Sequence, residues 1–276
     1  MKSISLYGGD VRIEFDDKLH AYRWNDKLIP GVTKIIGCLD KPALIQWAAN
    51  MASDYIGSQL FTDDGEGTHV PTFKELQAII KEAKTAHRKF SKSATDIGKA
   101  VHSFAERALV EQRVQMPEDP QTRKGAEAFL SWLHATDMKP INVERMCFSR
   151  THWYAGTCDF YGHINGDLCI MDLKTSSGLY PEMLFQLAAY AIAISEETGE
   201  RIDHGYIVRL DKKTGKCEPH YVPLRQSLKS GFLDVKKAYD ATKVADALAD
   251  EVKTASKEGR KVCLTSTQFT TAAAIG

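Results

Sequence analysis

The chain has 276 residues, 43% of them hydrophobic, and Lys plus Arg equals Asp plus Glu at 36 each. That length suits one large domain or a core with an added subdomain, and the balanced charge leaves no overall basic field, so any nucleic-acid binding must use a local patch. Six cysteines without a CxxC or CxxH spacing exclude a disulfide or zinc framework and read as reduced core thiols of a cytoplasmic protein. No apolar run reaches about 18 residues, and Met1-Lys2-Ser3 is not followed by a signal-peptide core, so neither secretion nor a membrane span is expected.

Residues 4–30 alternate apolar and polar around turn candidates Asp16-Asp17 and Asn25-Asp26, which predicts strands at Val11–Phe15, Ala21–Trp24 and Lys27–Ile29. GVTKIIGCLD then brings an apolar run, and Lys41-Pro42 opens a helix with Leu44, Trp47, Ala48 and Met51 at helical spacing. Residues 61–72 are rich in Gly and Asp and read as a loop. Thr72 with Glu75 forms a capping-box pattern for a helix from Phe73 to Ser91. Its Lys81, Lys84, Arg88 and Lys92 recur at three- and four-residue spacing, giving a positive ridge that is either a solvated face or a track for phosphates. A further helix is predicted over Ala94–Gln112, where His102 and Glu106 share a face and Gly98, one turn earlier, would let another backbone approach. His102 alone reads as a structural histidine, and as a nitrogen ligand if the hairpin holds a metal. A third helix follows over Thr122–Thr136, with Phe129, Trp132 and Leu133 as its core face, and Ile141–Ser149 reads as a strand containing Glu144. His152, Trp153 and Tyr154 fall in the connecting turn, as packing groups or as the rim of a site.

The stretch from Ala155 to Lys174 carries the strongest signal. Asn165-Gly166 supplies the two positive-φ residues of a type I′ hairpin turn. Antiparallel register about that turn sets Asp159 opposite Asp172 and Thr157 opposite Lys174, with Lys174 on the same face as both carboxylates. Directly opposed side chains lie roughly 5 Å apart, so two carboxylates there repel unless positive charge lies between them. A divalent cation would supply it, and an Asp–Lys ion pair at the sheet end is the structural alternative. Both faces of the second strand are largely apolar, which marks it as central and buried.

After Lys174 a TSSGLYPEM loop opens a helix over Glu182–Thr198, on which Gln186 and Tyr190 form another one-turn pair, readable as functional groups or as polar edges of the core. Gly205–Leu210 and Glu218–Val222 read as strands around a Lys212–Lys216 turn, and Gln226–Ala255 as a charged amphipathic helix or pair of helices. The Thr- and Ala-rich end has no periodicity and reads as a flexible tail. There is no internal repeat, P-loop, GxGxxG or Gly-x-Ser-x-Gly elbow.

Taken in order, GKAVHSFAE, INVERM, GTCDF, IMDLKTS and LFQLAAYA resemble the motif series of the PD-(D/E)XK nuclease superfamily, in its RecB-like and phage-exonuclease-like branch. The likeness covers Gly98 to Tyr190, and IPGVTKII resembles the segment that precedes the first helix in that branch. It implies an α/β fold with a restriction-endonuclease-like core: a central mixed β-sheet flanked by α-helices, with a small N-terminal β subdomain. The expected organisation is a β-rich segment over 1–40, the nuclease core with helical insertions over 41–260, and a tail over 261–276.

Carried over by position, the resemblance makes Asp159 and Asp172 metal-binding carboxylates, Lys174 the catalytic lysine and His102 a nitrogen ligand, with Leu173 a further metal position. Glu144 matches an assisting acid, while Gln186 and Tyr190 match a helix motif that holds the lysine or contacts DNA. Lys81, Lys84, Arg88, Lys92, Thr175 and Ser176 are the candidate DNA contacts. Asp159 lacks the preceding proline of the family, and Asp172 stands where many relatives have Glu; neither change removes a ligand.

The implied activity is Mg²⁺- or Mn²⁺-dependent hydrolysis of DNA from an end. The alternatives are a structure-specific endonuclease of the same fold and a non-catalytic DNA-binding subunit. Related CRISPR-associated nucleases bind an iron–sulfur cluster through one early and three late cysteines; here Cys38 is matched by only Cys217 and Cys263 after the core, so no cluster is expected. The implied partners are DNA and a single-strand-annealing or other recombination protein, with a homo-oligomer allowed and the host cytoplasm as location if phage-encoded.

Overall fold

Four short strands open the chain: β1 (Lys2–Leu6), β2 (Val11–Asp16), β3 (Ala21–Trp24) and β4 (Lys27–Ile29). They form one antiparallel sheet in that order, turning at Asn25 and Asp26, whose φ values of 47° and 62° suit a tight hairpin. β2 to β4 lie where alternation sets them; β1, with Ile4 and Leu6 turned inward, is an addition to the expected set. The computed structural model describes residues 2–61, 70–111, 113–212 and 214–258, so most of the expected loop at 61–72, Cys263 and the tail over 261–276 lie outside the described residues.

The apolar run after Gly31 forms a short helix, α1 (Val32–Ile36), which buries Val32, Ile35 and Ile36. Then come α2 (Pro42–Leu60) and α3 (Phe73–Val110), the latter opened by the Thr72–Glu75 capping box. The expected break between Ser91 and Ala94 does not occur, and one 38-residue helix replaces two. No Pro or Gly interrupts it there, and the Thr95 hydroxyl donates back to the Ser91 carbonyl at 2.8 Å, which keeps a polar residue inside the helix. α4 (Pro120–His134) starts slightly earlier than expected because Asp119 caps it, accepting from the Thr122 amide at 2.8 Å.

The main sheet follows: β5 (Met138–Ser149), β6 (Tyr154–Ile164), β7 (Asp167–Lys174), then α5 (Pro181–Thr198), β8 (His204–Leu210), β9 (Cys217–Pro223) and the single helix α6 (Gln226–Lys257). Its order is β5-β6-β7-β8-β9, with β7 central; only the β7–β8 pair, joined through α5, is parallel. The protein is thus α/β, with a mixed five-stranded sheet flanked by helices and an N-terminal antiparallel sheet. On one face Leu187, Ala191 and Ile194 of α5 pack with α1 and Phe232 of α6 against Cys158, Ile170 and Ile207. On the other, Val101 and Ala105 of α3 and Phe129 of α4 cover Phe160, Met171 and Val208. Leu6, Val11 and Ile13 close the N-terminal sheet onto Met146, Phe148 and Ala155.

Cys147, Cys158 and Cys169 are core thiols as expected, Cys217 is half-buried, and Cys38 is exposed, which corrects its assignment to the core. His152, Trp153 and Tyr154 pack: Trp153 lies against Trp24 and Phe148, the buried Tyr154 hydroxyl donates to the Ala189 carbonyl at 2.8 Å, and the His152 amide donates to Ser149 Oγ. Among the described residues, no helix is long and apolar enough to cross a membrane.

Candidate active site

The hairpin turns where the sequence sets it, with φ of 53° at Asn165 and 93° at Gly166. Its register runs as expected from Ile164 opposite Asp167 to Phe160 opposite Met171, and there the β6–β7 ladder stops. Beyond that rung β6 stays paired with β5 and β7 with β8, so the sheet forks. Asp159 with Asp172, and Thr157 with Lys174, are therefore not rungs of the ladder, which corrects their expected direct pairing. Two carboxylates would face each other there. Instead the Asp159 side chain enters the fork and accepts from the Leu173 amide at 2.7 Å, in place of a strand-to-strand bond. Leu173, expected as a metal position, here fixes Asp159 through its N–H.

Each carboxylate has a basic side chain as its partner. Lys174 Nζ forms an ion pair with Asp172 Oδ2, and His102 Nδ1 of α3 stands 3.4 Å from Asp159 Oδ2. Asp172 is 2% exposed, and its Oδ2 makes no hydrogen bond of ordinary geometry besides that ion pair. Burial pushes the Asp172 carboxyl up, and Asp159 adds to this, more than Lys174 offsets. Burial also pushes Asp159 up, but the attraction and hydrogen bond of His102, with Lys174 and the Leu173 amide, outweigh it and hold Asp159 below its usual range. For Lys174 and His102 burial lowers the pKa, and the carboxylates win: Asp172 and then Asp159 raise Lys174, while Asp159 raises His102.

Glu144 joins from β5. It has a φ of 50° and interrupts the β5–β6 pairing opposite Asp159, leaving its carboxyl near Asp159 and Glu106. Burial, then the charges of Asp159 and Glu106, push it up to about 7. Gln186 and Tyr190 of α5 are buried and hydrogen-bonded to each other at 2.7 Å, Gln186 donating, and the structure gives neither a bond to Lys174. Tyr190 is close enough to Asp172 for that charge to raise its hydroxyl, after burial. It packs directly on Gly156, whose absent side chain makes room for the ring: a Cβ there would meet Tyr190 Cε1 at 2.5 Å. Gly98 serves a similar end, but what it admits is a side chain and not the expected backbone: a Cβ at Gly98 would lie 2.9 Å from the Thr175 hydroxyl.

Lys81, Lys84, Arg88 and Lys92 are all exposed on α3, N-terminal to His102 on the same helix. Thr175 and Ser176 are half-buried just after Lys174, with Ser176 Oγ donating to the Gly178 carbonyl at 2.8 Å. One further contact has no signal in the sequence: Tyr22 of the N-terminal sheet shares a 2.8 Å hydrogen bond with Thr157 Oγ1. The two residues lie 135 positions apart, and no local spacing marks the bond.

The donor types suit a hard divalent cation: two carboxylates and an imidazole, brought to one fork of the sheet. As placed, with Asp159 turned to His102 and Asp172 to Lys174, no three His, Cys, Asp or Glu side chains among the described residues form a ready metal cluster. Comparison of the chain with models of known protein families found no match, and comparison with curated proteins found none similar to it.

Proposed function

We propose that the chain is a metal-dependent nuclease with a PD-(D/E)XK-type core, hydrolysing DNA from an end. The observation that carries this reading is the gathering of His102 from α3 with Asp159, Asp172 and Lys174 from the β6–β7 hairpin at the fork of the central sheet. Buried charges of both signs are costly to keep. A site that gathers two carboxylates, a lysine and a histidine, with His102 and Lys174 retaining 31% and 20% side-chain exposure, is better suited to chemistry than to stability.

Asp159, Asp172 and His102 are the residues that would hold the cation. When bound, Mg²⁺ or Mn²⁺ supplies Lewis acidity towards a phosphate oxygen and acidifies water. Lys174, kept as an ammonium by the two carboxylates, stabilises negative charge developing on the phosphoryl group as water attacks in line and the P–O bond breaks. The Leu173 amide and His102 hold Asp159 ionised, ready to accept a cation. The exposed Lys81, Lys84, Arg88 and Lys92 offer a phosphate track leading along α3; Lys92 lies about 15 Å from His102 along the helix axis.

End-labelled linear DNA, single- and double-stranded, tests the reading with Mg²⁺ or Mn²⁺ beside EDTA, and with a closed circle. Metal-dependent loss of linear but not circular DNA is the expected result. Cutting of the circle would assign an endonuclease. A second reading rests on the ion pairs already made by Lys174 and His102: a non-catalytic subunit whose charges only hold the fork together. DNA binding without cutting of either substrate would select it.

A further inference from the structure

The last turns of α6 leave the body of the protein. Phe232, Lys236 and Tyr239 are its buried residues, and from Asp240 to Lys257 every residue is exposed except the half-buried Ala255. This is about 27 Å of helix that no other described residue buries, a length that is marginal alone in water. It is nevertheless amphipathic. At about 100° per residue, Ala241, Val244, Leu248, Val252 and Ala255 fall within about 40° of one line. Val244, Leu248 and Val252 are 53%, 40% and 45% exposed. Lys243, Asp246, Asp250 and Lys253 lie on the opposite side, satisfied within the helix by the Lys243–Asp246 and Lys253–Asp250 pairs at 2.8 and 3.0 Å.

The stripe also has a symmetry. From Ala241 to Ala255 the sequence ATKVADALADEVKTA reads the same in both directions about Leu248, except at Ala245 and Glu251. An antiparallel pair of such helices with its two-fold axis at Leu248 stacks Leu248 on Leu248, Val244 on Val252 and Ala241 on Ala255. Every apolar layer then meets its own kind, and the alanines let the helices approach closely. The one break in the symmetry falls beside the seam. Glu251 there faces Ala245 of the second copy, whereas parallel pairing sets Glu251 level with Glu251, where like charges repel. An isologous two-fold contact of this kind is self-complementary by construction.

We propose that α6 is a homodimerisation element, whose occupant is the same helix of a second copy in antiparallel register centred on Leu248. The paired segment, Ala241 to Ala255, supplies at most 15 residues a side, against roughly 20–30 in a standard stable interface. The dimer therefore dissociates on dilution. Dimerisation through α6 does not depend on the nuclease reading, and its test needs no activity.

Sedimentation velocity of the full chain over a dilution series is expected to show a monomer–dimer transition that Leu248→Asp abolishes, with the unfolding midpoint unchanged at concentrations where wild type is monomeric, because Leu248 is surface-exposed. Geometry is read by bis-maleimide cross-linking in a Cys38→Ser, Cys263→Ser background. Leu248→Cys is expected to cross-link to itself. Val252→Cys is expected to do so only poorly, and to cross-link efficiently when mixed with Val244→Cys. Equal self-linking by Leu248→Cys and Val252→Cys would overturn the antiparallel arrangement. A chain that stays monomeric at every concentration, and dimerises only when residues 259–276 are removed, would overturn the proposal in favour of the chain's own C-terminal segment as the cover.

Discussion

Gly156→Ala probes the physical link between two of the sequence motifs. The added methyl would sit 2.5 Å from Tyr190 Cε1, 3.2 Å from Cδ1 and 3.1 Å from Val32 Cγ2. Contacts this short force something to move, and little here can. Tyr190 is 3% exposed, its hydroxyl is held by Gln186 at 2.7 Å, and Val32 is fully packed beneath α5. Overpacking of this kind costs about 1–3 kcal/mol, and the rigidity of a tyrosine ring favours the upper half of that range. Urea denaturation should show a loss of about 2–3 kcal/mol with an unchanged m-value, or a fall in Tm of about 4–10 °C at this chain length. In a Tyr190→Leu background the same substitution should cost under about 0.5 kcal/mol, a coupling of roughly 2 kcal/mol between the sites. Equal costs in the two backgrounds would refute the clash as the cause. Because Thr157 and Asp159 follow on the same strand, the single variant should also disturb the fork more than its stability loss alone implies.

The buried Arg145–Glu197 pair spans β5 and α5 at 2.9 Å, with side chains 7% and 10% exposed and Arg145 Nη1 already without a hydrogen bond. Glu197→Ala leaves that guanidinium uncompensated and should cost about 3–5 kcal/mol in chemical denaturation, while Arg145→Met with Glu197→Leu recovers most of it. Glu196 accepts from Ser149 Oγ at 2.5 Å, the Thr151 amide at 3.0 Å and the Tyr7 hydroxyl at 3.0 Å, tying the N-terminal sheet to α5. Burial raises its carboxyl, but these bonds outweigh it and hold the pKa below the ordinary 4.5. The stabilisation is thus complete above about pH 4.5 and lost as pH falls through the lower folded value, so Glu196→Gln should flatten the acid limb of the stability–pH curve. Lys174→Met strands Asp172, whose carboxyl burial already raises; the variant should be destabilised by about 3–5 kcal/mol at neutral pH and regain part of that as pH falls and Asp172 takes up a proton. A penalty independent of pH would argue against that ion pair.

Much of this architecture is legible because local chemistry sets it. Asn165-Gly166 fixes the hairpin and its register up to Phe160, Thr72 and Glu75 fix the start of α3, and alternation fixes the N-terminal strands. What escapes depends on contacts distant in sequence. The fork beyond Phe160 arises because Asp159 takes the Leu173 amide with its side chain, which no strand pattern encodes. The continuity of α3 through Ser91 is hidden by its polar residues, which a helix tolerates when a hydroxyl bonds back to the preceding turn. That Asp159 and Asp172 need basic or cationic partners is legible from two carboxylates set on neighbouring strands, but spacing alone does not tell a metal ion from Lys174 and His102. Gly156 and Tyr22 matter through Tyr190 and Thr157, partners that only the folded chain brings near.

The central claim is that the fork carries chemistry, and hydrolysis of end-labelled linear DNA by wild type and Lys174→Ala, under conditions where circular dichroism shows both folded, tests it most directly. The expected result is metal-dependent release of label by wild type, at least about a hundredfold slower in Lys174→Ala (a loss of about 2.7 kcal/mol of transition-state stabilisation), with DNA binding retained. Equal rates in the two proteins, or no metal-dependent release by wild type, would contradict it.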